Sequence, residues 1–237
     1  MTDRRTSEPG GRSVRDRGVS PRSGGPMRSN AWLVVAVASL AVFALLLLDV
    51  LQGDVIRIDS GAYRLFVQAI RSDALTVVMR SFSALSEPVV LAVMLLVLAA
   101  FAPGRRPGWC CAVNLALVGV LNHVIKVLVC RARPEGFRLA VESGFSFPSA
   151  HSMVAMAFFG LIIWLIWHYQ RDRILRWLLC AGFCLVIVMI GVSRIYLGVH
   201  FATDVLGGFF LSLAWLALYT RFAVPVFLGD APMPAAR

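Results

Sequence analysis

Charged residues are scarce in this sequence. They make up 15% of the 237 residues, whereas hydrophobic residues make up 59%. A soluble domain carries roughly 25% charged residues, so this composition excludes an ordinary cytosolic enzyme. Acidic residues are the scarcer kind, 13 against 23 basic ones. Because the basic excess forms no patch on a soluble domain, nucleic-acid binding is not predicted.

Cysteines are few and odd in number, five in all, so no disulfide framework is predicted. Cys180 and Cys184 lie four residues apart on one predicted helix, but no other soft ligand accompanies them. Small buried thiols are common packing residues. We therefore predict no metal site and no cofactor.

Six long stretches contain no Asp, Glu, Lys or Arg. About 20 apolar residues in a helix cross the hydrocarbon core of a bilayer, and the absence of period-2 alternation excludes an outer-membrane barrel. We predict an all-α fold, a bundle of six transmembrane helices. The stretches are residues 29–48, 88–104, 107–125, 143–170, 177–193 and 205–220.

The segments around this bundle differ from it in composition. Residues 1–29 are rich in Arg, Ser, Gly and Pro and are predicted to form a disordered cytoplasmic tail. Residues 30–223 form the predicted membrane domain, and residues 224–237 a cytoplasmic C-terminal tail. With this layout 14 of the 23 basic residues lie on the side of the termini, so the positive-inside rule places both termini in the cytoplasm.

Residues 49–87 connect the first two spans on the outer side and mix charged with apolar side chains. The pattern suits an amphipathic helix lying at the membrane interface. Packing against the rim of the bundle is an equal alternative. Since no soluble domain or internal repeat is recognisable, function must depend on helix ends and short loops.

Three polar clusters fall at the outer ends of the predicted spans, although an ionisable side chain costs roughly 2.5 to 3.5 kcal/mol in a spanning helix. The first contains Lys126, the only lysine of the chain, and Arg133. A crowded anion site can require the compact ammonium group. For Lys126 alone, a lysine that snorkels at a helix end is the simpler interpretation. His123, one turn earlier, is interpreted as a packing residue.

The second cluster opens the fourth span with Ser149, Ala150 and His151 after Pro148. Ser149 is predicted to cap the helix, so that the amides of residues 149–151 point outward and form an anion site with the helix dipole. By itself this motif predicts only a cap.

The third cluster contains Arg194, His200 and Asp204. On a helix, residues four apart lie on one face, so Asp204 can bond one nitrogen of His200 and leave the other as a nucleophile. An isolated pair of this kind is more often structural. Three cations and two histidines together are what phosphoryl transfer needs, and the cations would repel a metal ion.

In order, these clusters resemble the three-part signature of the type 2 phosphatidic acid phosphatase superfamily, which includes vanadium haloperoxidases. The family usually has Gly where Ala150 stands, but the backbone amide is retained. The six-span layout extends the likeness over residues 31–223. The matching motifs are Lys126-x6-Arg133-Pro134, Pro148-Ser149-Ala150-His151 and Ser193-Arg194-x5-His200-x3-Asp204.

The resemblance implies a metal-independent membrane lipid phosphatase with a phosphohistidine intermediate. His200 would attack phosphorus, Asp204 would hold it, and His151 would protonate the leaving oxygen and then activate water. Arg131 and Arg138 lie outside the signature and are interpreted as headgroup or rim charges. The phosphoryl oxygens would be bound by Lys126, Arg133, Ser149, the Ala150 amide and Arg194.

The predicted site lies at the outer face of a bacterial inner membrane and receives its lipid substrate sideways from the bilayer. Undecaprenyl diphosphate and phosphatidylglycerol phosphate rank nearly level as substrates, followed by phosphatidic acid and broad-range activity. A vanadate-dependent haloperoxidase, or a non-catalytic protein that binds or transports anionic lipid, is the alternative. The oligomeric state is not predicted.

Overall fold

The computed structural model describes residues 30–53, 57–101, 106–136 and 138–229. These residues form helices and loops with no strand among them, in agreement with the all-α prediction. The predicted tail of residues 1–29 lies outside the described residues. The elements are α1 Ala31–Leu51, α2 Arg57–Ala62, a π-helical segment Tyr63–Ala69, α3 Asp73–Ala84, α4 Pro88–Phe101, α5 Arg106–Val129, α6 Ala150–Tyr169, α7 Arg173–Tyr196, α8 Ala202–Phe222 and α9 Val224–Leu228.

Five helices, α1, α5, α6, α7 and α8, are long and apolar enough to cross a membrane. A helix rises about 1.5 Å per residue, and these helices have 20 to 24 residues each. α4 has only 14 residues, and it reaches span length only together with α3, from which it is bent by 57°. The chain is therefore a multi-pass membrane protein, with five or six candidate spans among the residues that the structure describes.

The segment between α1 and α4 lies on the rim of the bundle, where α3 packs against α7. The Ser72 hydroxyl caps α3 by accepting from the Leu75 amide at 3.3 Å. The Tyr196 hydroxyl, at the end of α7, donates to the Ser72 carbonyl at 3.0 Å. α3 ends before Pro88, which lacks an N–H and disfavours a helical residue before it. These contacts agree with the rim-packing alternative.

Polar side chains and small residues hold the spans together, as in other membrane bundles. Asn114 of α5 donates to the Ala157 carbonyl at 2.8 Å and accepts from Trp215 at 2.9 Å. α8 packs against both α1 and α6. At Gly208 an added Cβ would lie 2.9 Å from the Ser149 carbonyl oxygen. This close approach brings the N-terminal ends of α6 and α8 together.

The bundle continues past residue 223, the predicted boundary of the membrane domain. Val224 is buried, and α9 packs against α5 and α8. The predicted C-terminal tail, residues 224–237, therefore begins with a packed helix, because apolar side chains continue beyond the sixth predicted span. Residues 230–237 lie outside the described residues.

Candidate active site

The predicted site residues meet at one end of the bundle, called the outer end below. The C-terminal ends of α5 and α7 and the N-terminal ends of α6 and α8 lie there, because successive spans run in opposite directions. Lys126 interacts electrostatically with Arg133, Arg194 and Asp204, and the Ser149 amide contacts the Asp204 carbonyl. The three clusters of the sequence thus form one site.

His200 is held on both sides of its ring and is 3% exposed. Its Nδ1 lies 3.3 Å from Oδ2 of Asp204 and 3.3 Å from Oγ of Ser146. Its Nε2 lies 3.2 Å from Nη1 of Arg133. Arginine only donates, so Nε2 must accept and the ring proton faces Asp204. His200 lies just before α8, and Asp204 reaches back to it from the first helical turn.

The His200 imidazole is a neutral base near physiological pH. Burial lowers its pKa to about 4, although the hydrogen bond with Asp204 acts in the opposite direction. A neutral ring with its proton on Nδ1 keeps a lone pair on Nε2. This nitrogen is the one that faces the cations.

Arg133 is fixed by backbone carbonyls. It donates to the carbonyls of Ser143 at 3.0 Å, Gly144 at 3.1 Å and Val199 at 3.1 Å. Burial lowers its pKa and the neighbouring Glu142 carboxylate raises it, and the guanidinium stays charged because its ordinary pKa is so high. Its position is therefore set before any ligand arrives.

Arg194 reaches the site from the other side. Its Nη1 donates to the Ser83 hydroxyl at 2.6 Å, and its Nη2 forms an ion pair with Glu142. Arg133 Nη2 lies 3.8 Å from the second Glu142 oxygen. Burial alone would raise the pKa of the Glu142 carboxyl, but the charge and hydrogen bond of Arg194, together with the nearby His151 and Arg133, outweigh burial and lower the pKa. The Glu142 carboxylate thus lies where the guanidinium groups of Arg133 and Arg194 converge.

The N-terminus of α6 agrees only in part with the prediction. Ser149 caps the helix, accepting from the Ser152 amide at 3.4 Å and hydroxyl at 3.0 Å. The Ser149 amide, however, donates to the Asp204 carbonyl at 3.0 Å. The predicted anion site at residues 149–151 therefore retains only the amides of Ala150 and His151, because Gly208 lets α8 approach the cap.

His151 and Lys126 complete the set of predicted residues. His151 lies in the first turn of α6 and interacts electrostatically with Arg194 and His200. The Lys126 ammonium donates to the Phe145 carbonyl. His123, interpreted as a packing residue, is exposed on α5.

Four further residues of the site were not assigned to it from the sequence. Arg131 is bonded to Oδ1 of Asp204 at 2.6 Å and to Oδ2 of Asp59 at 3.0 Å. Its interpretation as a rim charge is wrong, because the guanidinium points inward between two carboxylates. Ser146 donates to Oδ2 of Asp204, and Glu142 pairs with two arginines. The outer loops hold several acids, and nothing in their spacing distinguishes Asp59 or Glu142.

An apolar cavity of about 420 Å³ lies beside the site, between α4, α5 and α6. Ala150 and His151 line it together with Leu91, Leu95 and Leu115. The cavity thus joins the polar cluster to the apolar surface of the spans. A molecule with an anionic group and a hydrocarbon chain matches both parts.

The sequence model of the PAP2 superfamily matches residues 107–226, a range that contains every predicted site residue. The chain belongs to this superfamily. Phosphatidylglycerophosphatase B of Bacillus subtilis is 33% identical over 191 residues, which cover 78% of this chain and 93% of that protein. These matches confirm the resemblance noted from the motifs.

Two solved structures have a similar fold. The crystal structure of a transmembrane PAP2-type phosphatidylglycerolphosphate phosphatase from Bacillus subtilis matches with a TM-score of 0.69 and 29% identity, covering 82% of this chain and 96% of that one. Aquifex aeolicus LpxE matches with a TM-score of 0.56 and 25% identity, covering 69% and 96%. A lipid A 1-phosphatase of Rhizobium johnstonii is 32% identical over 112 residues, covering 43% of this chain and 41% of that protein.

Proposed function

We propose that this protein removes the terminal phosphate of a membrane lipid, foremost phosphatidylglycerol phosphate, through a phosphohistidine at His200. Its family and its spans make it a PAP2-type membrane lipid phosphatase. The observation that carries the mechanism is the His200 ring, with Nδ1 against Asp204 and Nε2 at 3.2 Å from Arg133. A lone pair is thus directed at the cations that would bind a phosphoryl group.

The reaction proceeds in two displacements. Nε2 of His200 attacks phosphorus and forms the N–P bond while the bond to the lipid oxygen breaks, and His151 gives its proton to that oxygen. A water molecule then attacks phosphorus and loses a proton to His151, the N–P bond breaks, and inorganic phosphate leaves. Asp204 stabilises the positive charge that develops on the His200 ring.

The cations bind the charge that phosphoryl transfer spreads over the equatorial oxygens. Lys126, Arg133 and Arg194 supply three positive charges, and the Ala150 amide adds a donor at the α6 N-terminus. The Ser149 hydroxyl acts mainly through the cap, since it accepts from Ser152. The substrate must share the cations with Glu142 or displace its carboxylate from Arg194.

The choice of lipid rests on two observations. The apolar cavity beside His151 can take a hydrocarbon chain while the phosphate lies on the cations. The match to phosphatidylglycerophosphatase B covers 93% of that protein, which favours phosphatidylglycerol phosphate over undecaprenyl diphosphate. The predicted layout, in which 14 of the 23 basic residues lie on the side of the termini, supports a bacterial inner-membrane protein with its site on the extracytoplasmic face.

The test is phosphate release by purified protein in mixed micelles, with phosphatidylglycerol phosphate, undecaprenyl diphosphate, phosphatidic acid and lipid A phosphate side by side. We expect the first to turn over fastest. His200→Ala should abolish release, and acid-labile labelled phosphoprotein should be trapped only when His200 is present. His123→Ala, an exposed histidine of α5, is the matched control.

Phosphate release at the wild-type rate by His200→Ala would refute the nucleophile. If the protein binds lipid phosphates but releases no phosphate, the binding or transport alternative holds.

A further inference from the structure

Asp59 is 2% exposed. It lies in α2, within the segment between α1 and α4 that is called the outer linker below, and it contacts Thr203, the residue before Asp204. Its Oδ1 accepts from the Thr203 amide at 2.8 Å, and its Oδ2 accepts from the Thr203 hydroxyl at 2.8 Å and from Arg131 at 3.0 Å. A buried carboxylate is costly unless it is paired and hydrogen-bonded. The contacts of Asp59 meet this requirement, and all of them lie next to Asp204.

Arg131 connects the two buried aspartates. Its Nη1 donates to Oδ1 of Asp204 at 2.6 Å and to the Thr203 hydroxyl at 2.7 Å, while its Nη2 donates to Asp59. The guanidinium also lies 4.2 Å from the centre of the Phe201 ring. Because guanidinium is planar and rigid, an anchor on one arm fixes the direction of the other arm.

Asp204 is consequently held through both carboxylate oxygens. Oδ1 accepts from Arg131, whereas Oδ2 accepts from the Phe201 amide at 2.8 Å and from Ser146 and faces His200. The orientation of Oδ2 toward the imidazole therefore depends on what holds Oδ1. Arg131 holds Oδ1, and the position of Arg131 depends in turn on Asp59.

Asp59 also supplies a cap that α8 lacks locally. The residue before α8, Phe201, has no polar side-chain atom, so the first amides of the helix need acceptors from elsewhere. Asp204 accepts from the Phe201 amide, and Asp59 accepts from the Thr203 amide. The helix end that presents Asp204 is thus fixed to α2, 144 positions away in sequence.

We propose that Asp59 is a positioning residue for phosphoryl transfer, which acts through Arg131 to orient Asp204 and thereby His200. The inference rests on the proposed function of His200 and extends it, because Asp59 lies outside residues 107–226 that match the family. It makes the outer linker part of the catalytic apparatus: α2 must be seated on α8 before Asp204 is aligned.

The test variant is Asp59→Asn. Its side-chain oxygen can still accept from the Thr203 amide, so the cap is kept, but its amide group opposes a donor of Arg131 and the charged link is lost. We expect kcat per active site to fall roughly 10- to 100-fold, since a small misplacement of a catalytic group costs that much. KM should stay near the wild-type value, because Lys126, Arg133 and Arg194 are untouched.

A double-mutant cycle separates positioning from folding. If Asp59 acts through Arg131, then Asp59→Asn should cost little further kcat in an Arg131→Gln background. A purely structural role predicts a lower melting temperature and fewer active sites, with kcat per site unchanged. Asp73→Asn, an exposed aspartate of the same linker, is the control and should match wild type.

Orthovanadate provides a readout without turnover, since it binds as an analogue of the transferring phosphoryl group. We expect Asp59→Asn to weaken vanadate binding at least tenfold, with His200→Ala as the reference for lost binding and Arg131→Lys as a second variant should Asp59→Asn not fold.

Wild-type kcat per site and vanadate affinity in the folded variant would overturn this inference alone. A wild-type protein that binds vanadate through His200 but hydrolyses no lipid phosphate would overturn the proposed function alone. A protein that does neither would overturn both.

Discussion

His200 is surrounded by bonded polar groups, whereas His151 lies at the border between those groups and an apolar cavity. Asp204, Ser146 and Arg133 contact the His200 ring from both sides. Asp204 is in turn hydrogen-bonded by Arg131, which also pairs with Asp59. This half of the site is preorganised, so its geometry does not depend on the substrate.

The His151 half is built more openly. His151 and Ala150 line the apolar cavity, and the Nε of Arg194 is buried without a hydrogen-bond partner in the described part of the chain. This half therefore has unfilled space and an unused donor that a substrate can engage. We expect the His200 half to supply a rigid nucleophile, and the His151 half to combine proton transfer with contacts to the lipid.

The largest effect is expected from Asp204→Asn, which breaks the preorganised half. An asparagine cannot accept on both atoms, so its amide group opposes donors already present, such as Arg131 or the Phe201 amide. The kcat should fall about 10,000-fold, as for the aspartate of a serine protease triad. Steady-state rates of Asp204→Asn and wild type on every substrate measure this fall in kcat. Asp172→Asn, at the cap of α7, keeps its capping ability and serves as control. A loss of kcat below tenfold in Asp204→Asn would contradict the preorganisation of the His200 half.

The next largest effect is expected from His151→Gln, and it should depend on the leaving group. A lipid alkoxide needs a proton, so kcat on lipid phosphates should fall about 1,000-fold. p-Nitrophenyl phosphate releases a stable anion and should lose far less. Asp204→Asn should affect both substrates alike, so the ratio of rates on the two substrates distinguishes the two halves. Equal losses for both substrates in His151→Gln would show that His151 is not the acid.

A smaller effect is expected from Ala116→Phe, which fills the apolar cavity. The KM for a long-chain lipid phosphate should rise about tenfold, as for an ill-fitting apolar pocket. The KM for p-nitrophenyl phosphate should not change. Val120→Phe, on the same helix at a residue 62% exposed, is the matched control. If both variants behave alike, the cavity does not bind the lipid chain.

The smallest effect concerns acid stability of the preorganised half. The unfolded chain protonates His200 near the ordinary pKa of 6.5, whereas the folded protein does so at about 4. The unfolded state therefore binds more protons in this window, and stability falls as the pH drops from 6.5 toward 4. Melting temperatures across this range should decline less in His200→Asn than in wild type. The exposed His123→Asn should decline like wild type; equal slopes in all three would contradict the low pKa.

Local patterns account for much of what could be predicted. Long uncharged stretches give the spans, because a helix in lipid needs apolar side chains along its whole length. The same pattern predicts six spans, whereas five helices reach span length in the described part of the chain, since α4 is too short and is bent away from α3. The Ser149 cap and the contact between His200 and Asp204 also depend on neighbours in sequence, and both are present.

Contacts between distant segments were beyond the same reasoning. Arg131 carries no mark that separates it from a surface arginine, and it bonds Asp59 from 72 positions away. The Ser149 amide was expected to be open, yet α8 occupies it because Gly208 permits a close approach. Glu142 pairs with Arg194 only because the loop between α5 and α6 folds back over the site.

The sequence by itself determined that this protein spans a membrane and which residues could perform phosphoryl transfer, since both are set by residue type and short spacing. The tertiary structure decided which oxygen of Asp204 faces His200, what holds the other oxygen, and which α6 amides stay available. These features depend on how α2, α6 and α8 pack, and hydrogen bonds between buried groups are directional, so only the assembled bundle specifies them.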